Sequence, residues 1–234
     1  EPLSMADLSS KLAVLREACR AAGKEEYMDD YTTPLLHELL LNFKPDAIVS
    51  HMTKSHEAYD KVIRLEKSLN PVRLDRMLRT GAVFTRGFEK NTGRPIIWAT
   101  EDRFGWPFPE PDYYVSVWSW ICRLAMQKRP EHDPYYIVLL IDTNRPALYF
   151  SLASAYRLWK HAMDLSFPHT LTKKAYFVSF GRFGLGSKML LDAAKRILPT
   201  KMADKLDIIA DLKDLRSLIE NPVDIPDWVD PQGG

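Results

Sequence analysis

The sequence predicts an α/β protein: a helical N-terminal region, residues 1–80, packed on a mostly parallel β-sheet with flanking helices, residues 81–234. Three observations predict it. The stretch from Tyr135 to Ile219 reads strand, helix, strand, helix, strand, helix, and strands separated by helices of this length pair in parallel through right-handed crossovers. The run Ile137-Val138-Leu139-Leu140-Ile141 has no polar alternation, so both faces of that strand should be covered. The first 80 residues carry helical spacing without a strand signal.

Length and composition bound the function classes. A chain of 234 residues fits one large domain or two closely packed ones. A hydrophobic fraction of 46% supports a real core. The net charge of +1 gives no global field toward nucleic acid or an anionic membrane, so electrostatic recognition has to be local. Cys19 and Cys122 form no motif, which points to a reducing compartment rather than a disulfide framework. No stretch approaches the roughly 20 apolar residues of a membrane span. The expected location is therefore cytoplasmic and peripheral to membranes. A mitochondrial or other organellar location stays open, because a chain starting at Glu1 is compatible with processing.

The elements follow in order. Leu8 to Ala22 is an amphipathic helix, with Leu8, Leu12, Leu15 and Cys19 at helical spacing and Gly23 as its stop. Glu25 to Asp30 reads as a solvated acidic connector. Pro34 suits the first turn of a second helix with Leu35, Leu36, Leu39 and Leu40 as its stripe. A third helix runs from about Asp46 to Leu65, and Asn70-Pro71 ends it before a brief helix with Leu74, Met77 and Leu78. Ala82 to Thr85 and Pro95 to Ala99 are β-prone, and Lys90-Asn91-Thr92-Gly93 between them is turn chemistry, so a hairpin is expected.

Phe104 to Asp112, with Trp106 and Phe108, is an irregular loop, a possible docking surface or a loop packed on its own domain; Tyr113 to Gln127 is an aromatic-rich helix. After the central strand ending at Asp142, an amphipathic segment runs from Leu148 to Leu165. A second apolar run spans Ala175 to Phe180, and a glycine-broken loop, Gly181 to Gly186, opens a helix from Ser187 to Leu198. That helix carries Met189, Leu190, Ala193, Ala194 and Ile197, more apolar surface than lying on one sheet requires. Leu206 to Ala210 is a third strand before the last helix, and the proline-rich tail is expected to be extended and anchored by Trp228.

This order of features resembles the CRAL-TRIO lipid-binding family, of the yeast phosphatidylinositol/phosphatidylcholine-transfer type, across roughly Leu35 to Pro226. The likeness is carried by Leu35 to Asp46, by Gly93-Arg94-Pro95-Ile96-Ile97, by the run ending at Asp142, and by Phe167-Pro168 where the family has Tyr-Pro. The segment after Phe180 matches the family's mobile gate helix, Leu198 to Leu206 its turn before the next strand, and Ile225-Pro226 with Gly233-Gly234 its ending, at longer spacing.

The resemblance implies a sheet that floors an apolar cavity, a gate helix that closes it, and an acyl chain or isoprenoid inside. By parity Ile137, Leu139 and Ile141 share one face of their strand, and Phe177 and Ser179 one face of theirs; the family match puts both sets on the cavity side. Trp118, Phe183, Met189, Leu190 and Ala193 complete the expected ligand-lining set. Each taken alone fits ordinary core packing. The family's phospholipid exchangers bind headgroup phosphates through an acidic residue after Tyr-Pro, a Thr three before a Lys, and hydroxyls on the central strand. Here those positions are His169, Met202 with Lys205, and Ile137 with Leu139. A buried phosphate needs charge-assisted donors, so the substitutions imply a more apolar ligand or none. Lys195, Arg196, Lys201 and Lys205 form a basic cluster near the gate that suits a transient anionic membrane surface or a solvated helix end.

Catalytic patterns fail on geometry. Gly181 to Lys188 follows a strand and opens a helix, but Ser187-Lys188 reverses the phosphate-loop order, and one residue is about 100° around a helix. His51 and His56 are five apart, off one helical face, and no metal-ligand spacing occurs. No Gly-x-Ser-x-Gly elbow is present, and Asp142 at a strand end suits a cap or turn better than a catalytic carboxylate. The expectation is a non-enzyme without a cofactor other than a bound lipid. It binds and possibly transfers a hydrophobic molecule, or else serves as an accessory subunit or scaffold that meets protein partners; no nucleic acid is expected.

Overall fold

Proline sets the helical frame. Pro45, Pro71 and Pro111 each stand in the first turn of a helix, where the missing N–H costs nothing and the fixed φ is already helical. The computed structural model describes residues 5–31, 33–104, 110–130, 133, 135–141, 172–178, 192, 195, 196 and 203–230. The first helices are α1 (Met5–Ala21), α2 (Thr33–Asn42), α3 (Pro45–Ser68) and α4 (Pro71–Arg79). Asn70 punctuates α3 from α4, its Oδ1 accepting the N–H groups of Val72 and Arg73. Glu25–Asp30 is a 3₁₀ turn whose four acidic residues are exposed, as expected of a solvated face. It buries Met28 and is followed by buried Tyr31, both packed against Leu15, Cys19, Leu35, Leu36 and Leu40.

The 24 residues of α3 make it the strut of the molecule, about 36 Å long. Its first half gives Ile48 and Met52 to the N-terminal core. Further along, Val62 joins Leu74 of α4 in the core beneath the sheet. The two regions read from sequence therefore share helices instead of meeting at a linker. Arg123 of α5 (Pro111–Gln127) locks this arrangement with two bonds to the Glu66 carboxylate of α3, at 2.9 and 2.7 Å.

The sheet has five strands in the order β1-β2-β3-β4-β5. β1 (Val83–Phe88) and β2 (Pro95–Ala99) form the expected antiparallel hairpin. β3 (Tyr136–Ile141), β4 (Thr172–Val178) and β5 (Leu206–Ile209) continue in parallel. α5 crosses from β2 to β3 and packs on β1 and β2. On its face Val83, Ile97, Tyr136, Val138 and Ala175 meet the α5 side chains. On the other face Ile96, Trp98, Ile137, Leu139, Val178 and Ile209 meet Leu215 of α6 (Leu212–Leu218) with Ile219 and Ile225 of the tail.

The tail is anchored along its length. Arg103 lies over the Trp228 ring at 4.5 Å, and buried Asp230 accepts from Arg216 at 2.6 Å. A bulge in β1 brings Gly87 against this tail with φ +73°. A β-carbon there would sit 2.7 Å from Asp224 Cβ. Gly87→Ala is therefore expected to cost on the order of 2 kcal/mol from strain and overlap together, read as a lower denaturant midpoint. An unchanged midpoint would contradict this docking of the tail.

The helices read at Leu148 to Leu165 and Ser187 to Leu198, Asp142, Phe167-Pro168, the Gly181 to Gly186 loop, and Trp106 and Phe108 lie outside the described residues, apart from isolated helical positions at 192, 195 and 196.

Candidate functional site

Pairing register brings three apolar side chains into line near the C-terminal ends of the parallel strands. Leu140 of β3 pairs with Phe177 of β4, and Phe177 with Ile208 of β5. Paired residues share a face, and all three pack, half-buried, against the core on the α5 side. Trp118 of α5 belongs to the same core. Cys122 Sγ of the same helix meets Tyr136 Oη at 3.4 Å.

Trp118 is 2% exposed, and its Nε1 has no hydrogen-bond partner among the described residues. Its ring is tilted against Tyr114 at 6.3 Å. Among the described residues the row is apolar.

The expected ligand-lining set divides. Trp118 belongs to the core on the α5 side, and Phe177 packs against that core. Ile137, Leu139 and Ile141 lie on the opposite face, packed with Trp98, Val178 and the α6 side chains. This corrects the expectation that Ile137 and Phe177 line one cavity. The register puts Phe177 opposite Leu140, an even position, whereas the other three are odd. Ile137 and Leu139 are fully buried core residues. Leu140 and Ile208 were missed. Parity was available for both, but the β3–β4 register that decides which parities match was not. Ser179, Phe183, Met189, Leu190, Ala193 and Lys201 lie outside the described residues. Of the basic set, Lys195 is half-buried and Arg196 exposed, both helical. Lys205 is exposed beside the start of β5, its carbonyl accepting from Ala175 N at 2.8 Å.

The opposite end of the sheet is polar and structural. Arg94 donates to Asp133 at 2.7 Å and lies 3.8 Å from Glu89. Arg94 and Lys173 both lie over the Tyr135 ring, at 5.8 and 4.6 Å, and the Tyr135 hydroxyl donates to Glu38 of α2. This ties hairpin, β3 and α2 together, which accounts physically for the arginine of Gly93-Arg94-Pro95. Both cysteines are free and buried. Burial pushes the Cys122 thiol up to about 11 and raises Cys19 as well, so neither is poised as a thiolate. His56 stacks on Tyr27 at 3.8 Å, within α3 packing.

A concave feature lies on the N-terminal helices. Ser10, Lys11 and Val14 of α1 face Leu40, Phe43, Lys44 and Pro45 across a groove of about 300 Å³. Val14 is 54% and Phe43 47% exposed. Among the described residues no three metal-ligating side chains cluster, and no helix is long and apolar enough to cross a membrane. No family model matches the chain, and no curated protein matches its sequence.

Proposed function

We propose that the protein is a non-catalytic binder of one hydrophobic, lipid-like molecule, held in a CRAL-TRIO-like arrangement and exchanged at membranes. The observation that carries this reading is the half-buried row of Leu140, Phe177 and Ile208 on the α5 side of the sheet. The apolar segment from Ser187 to Leu198, which the family resemblance reads as a gate, lies outside the described residues apart from positions 192, 195 and 196. Lys195, Arg196, Lys201 and Lys205 are its contact with anionic headgroups, each worth about 1 kcal/mol near such a surface.

The test is native mass spectrometry after incubation with mixed liposomes. One adduct per chain is expected. Ile208→Glu, on the edge strand, is expected to lose it, whereas Ile137→Val on the opposite face keeps it. A bare wild-type mass with no uptake overturns the reading.

A second reading, an accessory subunit or scaffold, is favoured by the N-terminal groove. Its apolar floor with Lys11 and Lys44 at the rim suits an acidic amphipathic helix of a partner protein. A partner that copurifies with wild type and is lost with Val14→Glu supports it; one that stays bound to Val14→Glu removes the groove from consideration.

A further inference from the structure

We propose that the N-terminal helical layer is a separate cooperative unit that opens ahead of the sheet, and that the Tyr135–Glu38 hydrogen bond is its catch. The inference does not depend on the binding reading. Among the described residues the apolar interior falls into distinct clusters. One is built around Leu15, Cys19, Met28, Leu36, Ile48 and Met52. There α1 and α2 pack on each other and on α3, and the 3₁₀ turn packs on α1 and α3. The cluster beneath the sheet begins on α3 at Val62. Between Met52 and Val62 the helix runs about 15 Å through Glu57, Asp60 and Lys61, all exposed. Cooperative units hold together where buried apolar contacts are dense and separate where they thin out. The far half of α3 stays with the sheet, because Arg123 holds Glu66 and the N–H of Asn70 donates to the Tyr113 hydroxyl at 3.2 Å.

The Tyr135–Glu38 bond crosses from one unit to the other. Its donor stands just ahead of β3 and its acceptor on α2, 97 residues apart in the chain. The tyrosine half is fixed in advance: its N–H donates to Asp133 Oδ1 at 3.0 Å, and Arg94 and Lys173 lie over its ring. A donor held in place loses little freedom when the bond forms, and a bond to a carboxylate is roughly twice as strong as a neutral one. The acceptor half belongs to the helical layer, since Leu35, Leu36 and Leu40 bury α2 in its cluster. Opening the layer therefore carries Glu38 away and leaves Tyr135 with the sheet. The bond supports the stability of the layer and not that of the sheet.

The experiment is native-state hydrogen exchange on wild type, Tyr135→Phe, Glu38→Ala and the double variant. In wild type the amides of α1 and α2 are expected to open together, and more often than those of β2, β3 and α5. Tyr135→Phe keeps the ring beneath Arg94 and Lys173 and removes the donor. It should speed exchange in α1 and α2 by about tenfold, the equivalent of one hydrogen bond to a charged group, and leave β2 and β3 within about twofold. Adding Glu38→Ala to Tyr135→Phe should change exchange by less than about twofold, because the two residues act through one bond. A single opening rate shared by helices and sheet in wild type overturns the separate unit. A Tyr135→Phe variant that leaves α1 and α2 unchanged, or speeds both layers equally, overturns the catch, and so do additive effects of the two substitutions.

Discussion

Trp98→Ala is expected to destabilise the protein by about 3–5 kcal/mol, about a fifth or more of the total for a domain of ordinary stability, about 5–15 kcal/mol. Trp98 is the centre of β2 and is fully buried. It pairs with Phe84 on one side and Leu139 on the other. Its ring lies nearly parallel to Phe84, with centroids 6.3 Å apart, and it is packed with Ile137, Leu215, Ile219 and Ile225. Truncation opens a cavity where sheet, α6 and tail converge and strands the Arg86 carbonyl that the indole satisfies. Trp98→Phe keeps most of the volume and should lose only about 1–2 kcal/mol, the unmade bond and a small void. Urea unfolding of both variants gives the comparison. A loss below 1 kcal/mol for Trp98→Ala would mean that this face is not the packed core described. Ligand binding by the folded fraction is expected to persist, because Trp98 stands across the sheet from Leu140 and Phe177.

Most of this frame was legible in the sequence because it rests on local chemistry. Proline at first turns, Asn70-Pro71 between helices and Lys90 to Gly93 between β-prone runs each fix a boundary within a few residues. The misses occur where tertiary partners override local signals. β4 begins at Thr172, ahead of the apolar run, because Lys174 reaches Asp207 on β5 at 3.6 Å and Lys173 covers the Tyr135 ring. β1 extends through Gly87 to Phe88 because a bulge lets the tail pack there. Glu25 to Asp30 read as solvated because four of its six residues are acidic, and those four are exposed. Met28 and the following Tyr31 nevertheless reach the core, and Arg20 takes up Glu25 at 3.0 Å.

The site was half legible for a different reason. Alternation along one strand gives two faces but not which face of the next strand each one joins. Ile137, Leu139 and Ile141 were separable from Val138 and Leu140 by parity alone, and Phe177 from Tyr176. Only the pairing of Leu140 with Phe177 joins the two sets, and register is a property of two chain segments held by everything around them. The N-terminal groove gave no signal, since Lys11 and Val14 lie far from Phe43 in sequence and read as ordinary helix surface.

Alkaline titration should expose the buried thiol at the α5–β3 contact. Burial raises Cys122 from its ordinary 9.0 to about 11, offset in part by the Tyr136 hydroxyl and by Arg123. Below pH 9 the thiol is neutral both folded and unfolded, and its contribution is fully present. Above pH 9 the unfolded chain releases the proton while the folded chain holds it, so stability falls as pH rises through about 11. The loss is about 1 kcal/mol by pH 10 and approaches 3 kcal/mol by pH 12, at 1.36 kcal/mol per unit of pKa difference. Tyr31 and Cys19, both raised chiefly by burial, act with the same sign and steepen the fall. Urea midpoints at pH 7, 9, 10 and 11 measure it. Cys122→Ala is expected to start less stable at pH 7, from a small cavity, and then to lose less between pH 9 and 11 than wild type does. Equal slopes for the two proteins would remove Cys122 from the account and leave Tyr31 and Cys19 as the titrating groups. A thiol reagent separates the cases independently: if Cys122 ionises only on unfolding, its labelling rate tracks the unfolded fraction at each pH rather than the thiolate fraction of an exposed cysteine.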